Sequence, residues 1–237
     1  FFPQAPAWAR FTTNPLPDGD PLIHAFFFDA PADGILRLPG LTNKVTGALV
    51  LGGKTSVPAE NQDTGVVLTL PESQRAAKDF VVAVKVKGKP VIDTAVHADD
   101  SGVFTLLPRQ AEVTGSIKVQ IPGSAGLQTH GKENLGCWTD RNSTAKWNVH
   151  SAKPATVKLQ ATTSAEAPGG SVVEIVCADQ IVPLTIPATG SWDQYKEAEA
   201  GTLNLPAGTN TIFVRVKTLQ GIAPCNLAAI RLTPVNP

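Results

Sequence analysis

Three of the four tryptophans, Trp138, Trp147 and Trp192, stand in or beside short polar runs punctuated by glycine. One run is Leu135-Gly136-Cys137-Trp138-Thr139-Asp140-Arg141-Asn142, followed by Lys146-Trp147-Asn148. The other is Thr189-Gly190-Ser191-Trp192-Asp193-Gln194-Tyr195, and Asn226-Leu227-Ala228-Ala229-Ile230 adds an amide near the chain's end. Rings and amides of this kind suit a sugar: an indole face stacks on the C–H face of a pyranose, while an amide bonds its hydroxyls. Each residue also has a plainer use. Trp192 is either a stacking wall or a cap on a core, and Trp138 is either a second wall or a core residue. Trp147 sits in a strand pattern and reads as core. Tyr195, the only tyrosine, offers its hydroxyl to a ligand or edges a strand, and Asn226 bonds a ligand or satisfies loop backbone groups.

The elements that must position these residues are strands. Leu22–Phe28 is a continuous apolar run, as in a buried strand, and Asp33-Gly34 offers a hairpin turn into Ile35–Leu38. Val82, Val84 and Val86 alternate with Ala83, Lys85 and Lys87, the period of a half-buried strand. Further strands are expected at 47–51, 66–70, 103–107, 116–119, 146–149, 156–160, 172–176, 181–186, 209–216 and 226–232. Only Glu72–Lys78, behind Pro71, has the makings of a helical turn. The polar stretch His97–Gly102 reads as a boundary. The expected fold is therefore all-β: two consecutive antiparallel β-sandwich, jelly-roll-like domains at 1–98 and 99–237.

Composition narrows the function. Lysine plus arginine and aspartate plus glutamate number 20 each, so there is no basic field to hold a phosphate backbone, and nucleic acid is not an expected partner. No apolar run approaches the ~18 residues that span a bilayer. The 237-residue chain has no methionine, so it is expected to begin after processing or to be a piece of something longer.

Three cysteines are too few for a disulfide scaffold, and none forms a CxxC pair. Cys177 lies in an apolar run and reads as a buried thiol. Cys137 and Cys225 each adjoin a site segment, and either bridge one another or remain two unpaired thiols. His24 lies in an apolar strand and His97 at the boundary; neither His130 nor His150 has a second ligand at metal spacing. Catalysis is not expected. Asp29, Asp33, Glu60 and Asp63 fall in turns or strand ends, where acids are solvated, and no GxSxG, HExxH or phosphate loop occurs.

Two resemblances extend this reading. Ala9–Thr13, His24–Asp29, Asp33–Leu41, Leu49–Gly53 and Val66–Pro71, in that order, resemble the β-sandwich that follows the catalytic barrel in family 29 α-L-fucosidases, over roughly residues 8–98. Residues ~103–237 resemble the galactose-binding-like sandwich of carbohydrate-binding module families 6 and 35. The marks are the Gly136-Cys137-Trp138 segment with Trp147, Thr189–Tyr195, Gly201–Asn210 and Asn226–Leu232. This resemblance implies a sugar held chiefly by Trp192 and Asn226, helped by Trp138, and Tyr195 is the further candidate that its own hydroxyl offers. Cys137 departs from it, standing where such modules often carry a ring. Ala228 stands where calcium-binding relatives often carry an acid, which leaves Glu112 as the remaining candidate for a structural calcium. The function implied is a non-catalytic accessory region of a secreted or periplasmic α-L-fucosidase-like glycosidase. Its partners would be a glycan and a catalytic domain or subunit. The alternative is a purely structural module that packs on such a domain without binding sugar.

Overall fold

The computed structural model describes residues 9–16, 19–52, 55–62, 64–122 and 131–235; Trp8, Asp63 and His130 lie outside them. The chain divides into two compact units, Phe1–Thr94 and Ala95–Pro237. The division falls before the expected boundary because Val96 and His97 already pair, in parallel, with Val149 and His150 of the second unit. All long elements are strands, and nearly every pairing is antiparallel.

The first unit comprises β1 (Ala9–Pro15), β2 (Pro21–Asp29), β3 (Ile35–Pro39), β4 (Val45–Val50), β5 (Thr55–Ser56), β6 (Ala59–Gln62), β7 (Gly65–Thr69) and β8 (Lys78–Val86). They form a five-stranded sheet, β1-β2-β8-β4-β5, and a three-stranded sheet, β3-β7-β6. Glu72–Gln74 makes a single 3-10 turn where the helical turn was expected. In β8 Val82, Val84 and Val86 are buried in the core as the alternation predicts and Lys85 and Lys87 are not, but Ala83, on the other face, is buried too.

β2 departs from the continuous buried strand that its apolar run predicts. Ile23, Ala25 and Phe27 are buried, with the Phe27 ring stacked on Phe80 at 5.2 Å, but Phe26 and Phe28 remain 39% and 46% exposed. An antiparallel sheet in a two-layer sandwich has one covered face, so alternate residues of even an apolar strand must face outward. Register places Phe26 beside Val81, and exposed Leu49 beside Ala83. The result is an apolar stripe on the outer face.

The second unit comprises β9 (Val96–His97), β10 (Phe104–Leu106), β11 (Glu112–Val113), β12 (Lys118–Gln120), β13 (Asn134–Gly136), β14 (Thr144–Ser151), β15 (Ala155–Ser164), β16 (Val172–Cys177), β17 (Gln180–Thr185), β18 (Lys196–Leu205), β19 (Gly208–Thr218) and β20 (Asn226–Pro234). One sheet runs β12-β13-β20-β15-β18 with β10 beside β20; the other runs β11-β14-β19-β16-β17 with β9 beside β14. Between them Trp138, Trp147, Leu135, Leu159, Ile175, Ile212 and their neighbours form one core.

Glu174 of β16 is a charged residue buried in this sandwich; its carboxylate takes Arg215 Nε and Nη2 at 2.8 Å and Lys217 Nζ at 3.3 Å. The Arg215 hydrogen bonds hold that carboxyl below its ordinary value against the opposing effect of burial, and Lys217 adds to the lowering. A carboxyl with a lowered folded-state value stabilises the fold above its unfolded value. That contribution disappears as pH falls through the folded one. The resistance of the second unit to urea is therefore expected to fall below about pH 4.3. A Glu174→Gln variant should be less stable at pH 7 and show a flatter acid dependence. Equal acid slopes for the two proteins would refute this assignment.

Candidate functional site

The antiparallel order brings one set of strand ends together. Asn226, which opens β20, pairs with Ser164, which closes β15, and Leu227 pairs with Leu135 of β13. On β13 the core side chain is Leu135, so Asn134 and Gly136 face the other way. In register beside them on β12 stand Gln120, opposite Asn134, and Lys118, opposite Gly136. The row on the face away from the core thus reads Gln120, Asn134 with Gly136, Asn226, Ser164, all of them buried. The loop carrying Trp192 enters β18 beside it.

Asn226 uses the two ends of its amide differently. Its Nδ2 donates to the Trp192 carbonyl at 3.2 Å, and the Ser164 hydroxyl donates to that same carbonyl at 2.6 Å. Thr189 holds the loop's other side, its backbone N–H donating to Ala165 O at 2.9 Å and its hydroxyl to Ala165 O at 3.0 Å. The structure therefore brings Trp192 and Asn226 together, through a backbone carbonyl. The Trp192 ring is half-buried against the edge of the core.

The other end of the amide, Asn226 Oδ1, turns over Gly136. A Cβ on that glycine would lie 2.9 Å from Asn226 Oδ1, 2.8 Å from Asn134 Oδ1 and 2.5 Å from Gln120 Oε1. Three amide carbonyls thus converge on the one residue with no side chain to exclude them. The orientations of two are set, because Asn134 Nδ2 donates to Lys132 O at 2.9 Å as Asn226 Nδ2 does to Trp192 O. Gln120 Nε2 lies 3.6 Å from Cys137 Sγ. Gln120 Oε1 and Asn134 Oδ1 are buried, with no hydrogen-bond partner among the described residues. Buried acceptors left without a donor cost about 1–3 kcal/mol each, so this cluster is suited to take a donor such as a water or a hydroxyl. Gln120, Asn134, Gly136 and Ser164 were not singled out from the sequence. Their one signal was the two-residue spacing of Asn134 and Gly136, which puts both on one strand face.

Trp138 is corrected. It is fully buried, with Nε1 donating to Ser143 O at 3.1 Å, and it packs beneath the site instead of stacking on a ligand. Trp147 is core, donating to Leu107 O at 2.8 Å. Tyr195 is half-buried: the Lys132 ammonium stands 5.4 Å over its ring, and its hydroxyl is buried. Burial pushes the phenol's pKa up. That hydroxyl lies beside Ser164 and Asn226, at the same end as the amide cluster. Glu112 pairs with Lys146 at 2.8 Å on β14 and is largely exposed. Among the described residues no group of three or more His, Cys, Asp or Glu side chains is placed to hold a metal.

The bridge between Cys137 and Cys225 is also corrected: all three cysteines are free. Cys137 takes the left-handed conformation, φ 56°, and faces solvent, while its neighbour Trp138 dives into the core. The turn is held by Thr139 N donating to Cys137 O, and by Ser116 Oγ accepting from Thr139 N and Asp140 N. Cys225 lies on the inner side, lining a core cavity of about 10 Å³ with Trp138, Thr163 and Leu227. Burial pushes its thiol up to about 12. A thiol reagent applied to the native protein is thus expected to label Cys137 alone, and all three cysteines after denaturation. Rapid native labelling of Cys225, read by peptide mapping, would contradict this placement.

The comparisons with known proteins bear on the same unit. The family model "Carbohydrate binding module (family 6)" matches residues 110–234. Among curated proteins nothing matches. Of the solved structures, a GH26-CBM35 β-(1,4)-mannanase from Podospora anserina is similar at 22% identity over 58% of this chain and 28% of its own, TM-score 0.45. An α-L-fucosidase from Vibrio sp. strain EJY3 is similar at 17% identity over 98% of this chain and 41% of its own, TM-score 0.49. A β-1,3-glucan binding CBM6 from Bacillus halodurans is similar at 17% identity over 59% of this chain and 98% of its own, TM-score 0.46. The chain thus spans well under half the length of the two enzymes. The family match covers more than half of this chain and contains every residue of the amide cluster and the Trp192 loop, so the chain belongs to carbohydrate-binding module family 6.

Proposed function

We propose that this chain is a non-catalytic carbohydrate-binding accessory region of an α-L-fucosidase-like glycosidase that works outside the cytoplasm. In this reading the second unit holds a glycan at the end where Trp192, Asn226 and Gly136 meet. The observation that carries it is the pair of orphaned amide oxygens, Gln120 Oε1 and Asn134 Oδ1, gathered with Asn226 Oδ1 beside a half-buried tryptophan. Sugar hydroxyls, or waters that travel with them, are donors of the kind these acceptors lack. The indole supplies the apolar surface. A sugar laid on a single half-buried ring buries little area, so affinity is expected to be weak for a single site and to be recovered by tethering to an enzyme or a polymeric substrate.

The first unit takes the part of a buttress. Its outward stripe of Phe26, Phe28, Leu49 and Leu51, each 39–46% exposed, is the kind of face that a catalytic domain covers. The encoded sequence upstream of Phe1 tests this half of the reading: a glycosidase barrel there supports it, and an unrelated domain overturns it.

Binding to a panel of fucosylated and acidic glycans, followed by calorimetry, tests the other half. Trp192→Ala is expected to weaken binding at least ~10-fold, about 1.4 kcal/mol, with a smaller change in melting temperature. If neither the wild type nor the variant binds any glycan tested, the purely structural alternative replaces this reading.

A further inference from the structure

A second cluster lies on the sheet opposite the one that carries the amides. β9 runs parallel to β14 with His97 in register beside His150. On these strands Val96 and Val149 face the core, so the two imidazoles point to the outer face, and both are half-buried there. Their ring centroids are 5.3 Å apart, with the planes inclined at 40°. Thr209, opposite His150 on β19, places its hydroxyl 3.2 Å from His150 Nδ1.

We propose that His97 and His150 form a two-imidazole binding site for a borderline divalent transition-metal ion, zinc or copper. With a metal–nitrogen bond of about 2.0–2.1 Å and a tetrahedral angle, two imidazoles on one ion have centres about 5 Å apart. The observed centroid spacing of 5.3 Å is close to that value, so rotation of the side chains is all the site asks of the strands. Thr209 supplies the outer-shell contact that such histidines use: if Nδ1–H of His150 donates to its hydroxyl, Nε2 keeps the lone pair for the metal. Imidazole nitrogen suits zinc and copper(II) over calcium or magnesium, which favour oxygen, and copper should bind more tightly than zinc. Water completes the coordination, so binding is reversible and does not build the fold. The site stands independently of the glycan reading, since it uses no residue of the Trp192–Asn226 end.

The test is titration of the whole chain with zinc alone and with copper(II) alone, by calorimetry and by electron paramagnetic resonance. One saturable site is expected, with copper signals split by two imidazole nitrogens. His97→Asn and His150→Asn should each lower the affinity by at least the ~10–100-fold that loss of an outer-shell partner costs. Both variants should keep their metal-free melting temperatures, since neither side chain faces the core. Cys137→Ser, which removes the one exposed thiol, should bind as the wild type does. Three results overturn the proposal: no saturable binding, binding that survives both histidine substitutions, or binding abolished by Cys137→Ser.

Discussion

Trp138→Ala is expected to destabilise the second unit by about 3–5 kcal/mol, the usual cost of emptying a fully buried tryptophan site. The side chain has no exposed surface, and it lines the small cavity that Cys225, Thr163 and Ile230 share. That void would be enlarged, because the strands around it are fixed by their ladders and collapse only in part. The Ser143 carbonyl would also lose the indole N–H at 3.1 Å. Domains of this kind hold about 5–15 kcal/mol in total, so the loss is a large fraction of the whole. Thermal unfolding should fall on the order of 10 °C. Glycan binding, measured well below that transition, should change much less than in Trp192→Ala. A variant that kept its melting temperature and lost binding would show that the ring belongs to the surface after all.

Gly136→Ala carries the second large effect, and there the order is reversed. The added methyl would meet three amide oxygens at 2.5–2.9 Å, closer than any relaxed contact. Two of those amides cannot swing aside freely, since the Asn134 and Asn226 amino groups are held by Lys132 O and Trp192 O and both residues are buried. Overpacking of this degree costs about 1–3 kcal/mol. The displaced Asn226 would release the Trp192 carbonyl, which loses one of its two side-chain donors in the loop that carries the stacking ring. Glycan affinity is expected to fall at least ~10-fold, the equivalent of about 1.4 kcal/mol, while the protein remains folded at room temperature. Wild-type affinity in this variant would show that the amide cluster is packing and not part of the site.

How much of this was legible before folding varies from strand to strand for physical reasons. β8 and β14 were readable because alternating Val, Trp and Lys residues mark a face as buried or wet. β18 was not, although it is ten residues long. Its Lys-Glu-Ala-Glu-Ala start lacks the β-branched and aromatic residues that favour strands, and its place follows from nine register pairs with β15. Trp192 and Asn226 were legible as a pair of chemical types. That they meet through a backbone carbonyl was not.

The sequence by itself determined the all-β class, most strand positions, the absence of a recognisable catalytic motif, and the two segments at which a site could form. Those properties are local, written in periods of two and in turn residues. Which tryptophan faces a ligand, whether Cys137 meets Cys225, which amides crowd over Gly136, and that His97 lies beside His150 were decided by the tertiary structure alone. Each depends on strand register between distant segments, and a one-residue slip in any of those ladders would turn the same side chain to the opposite face.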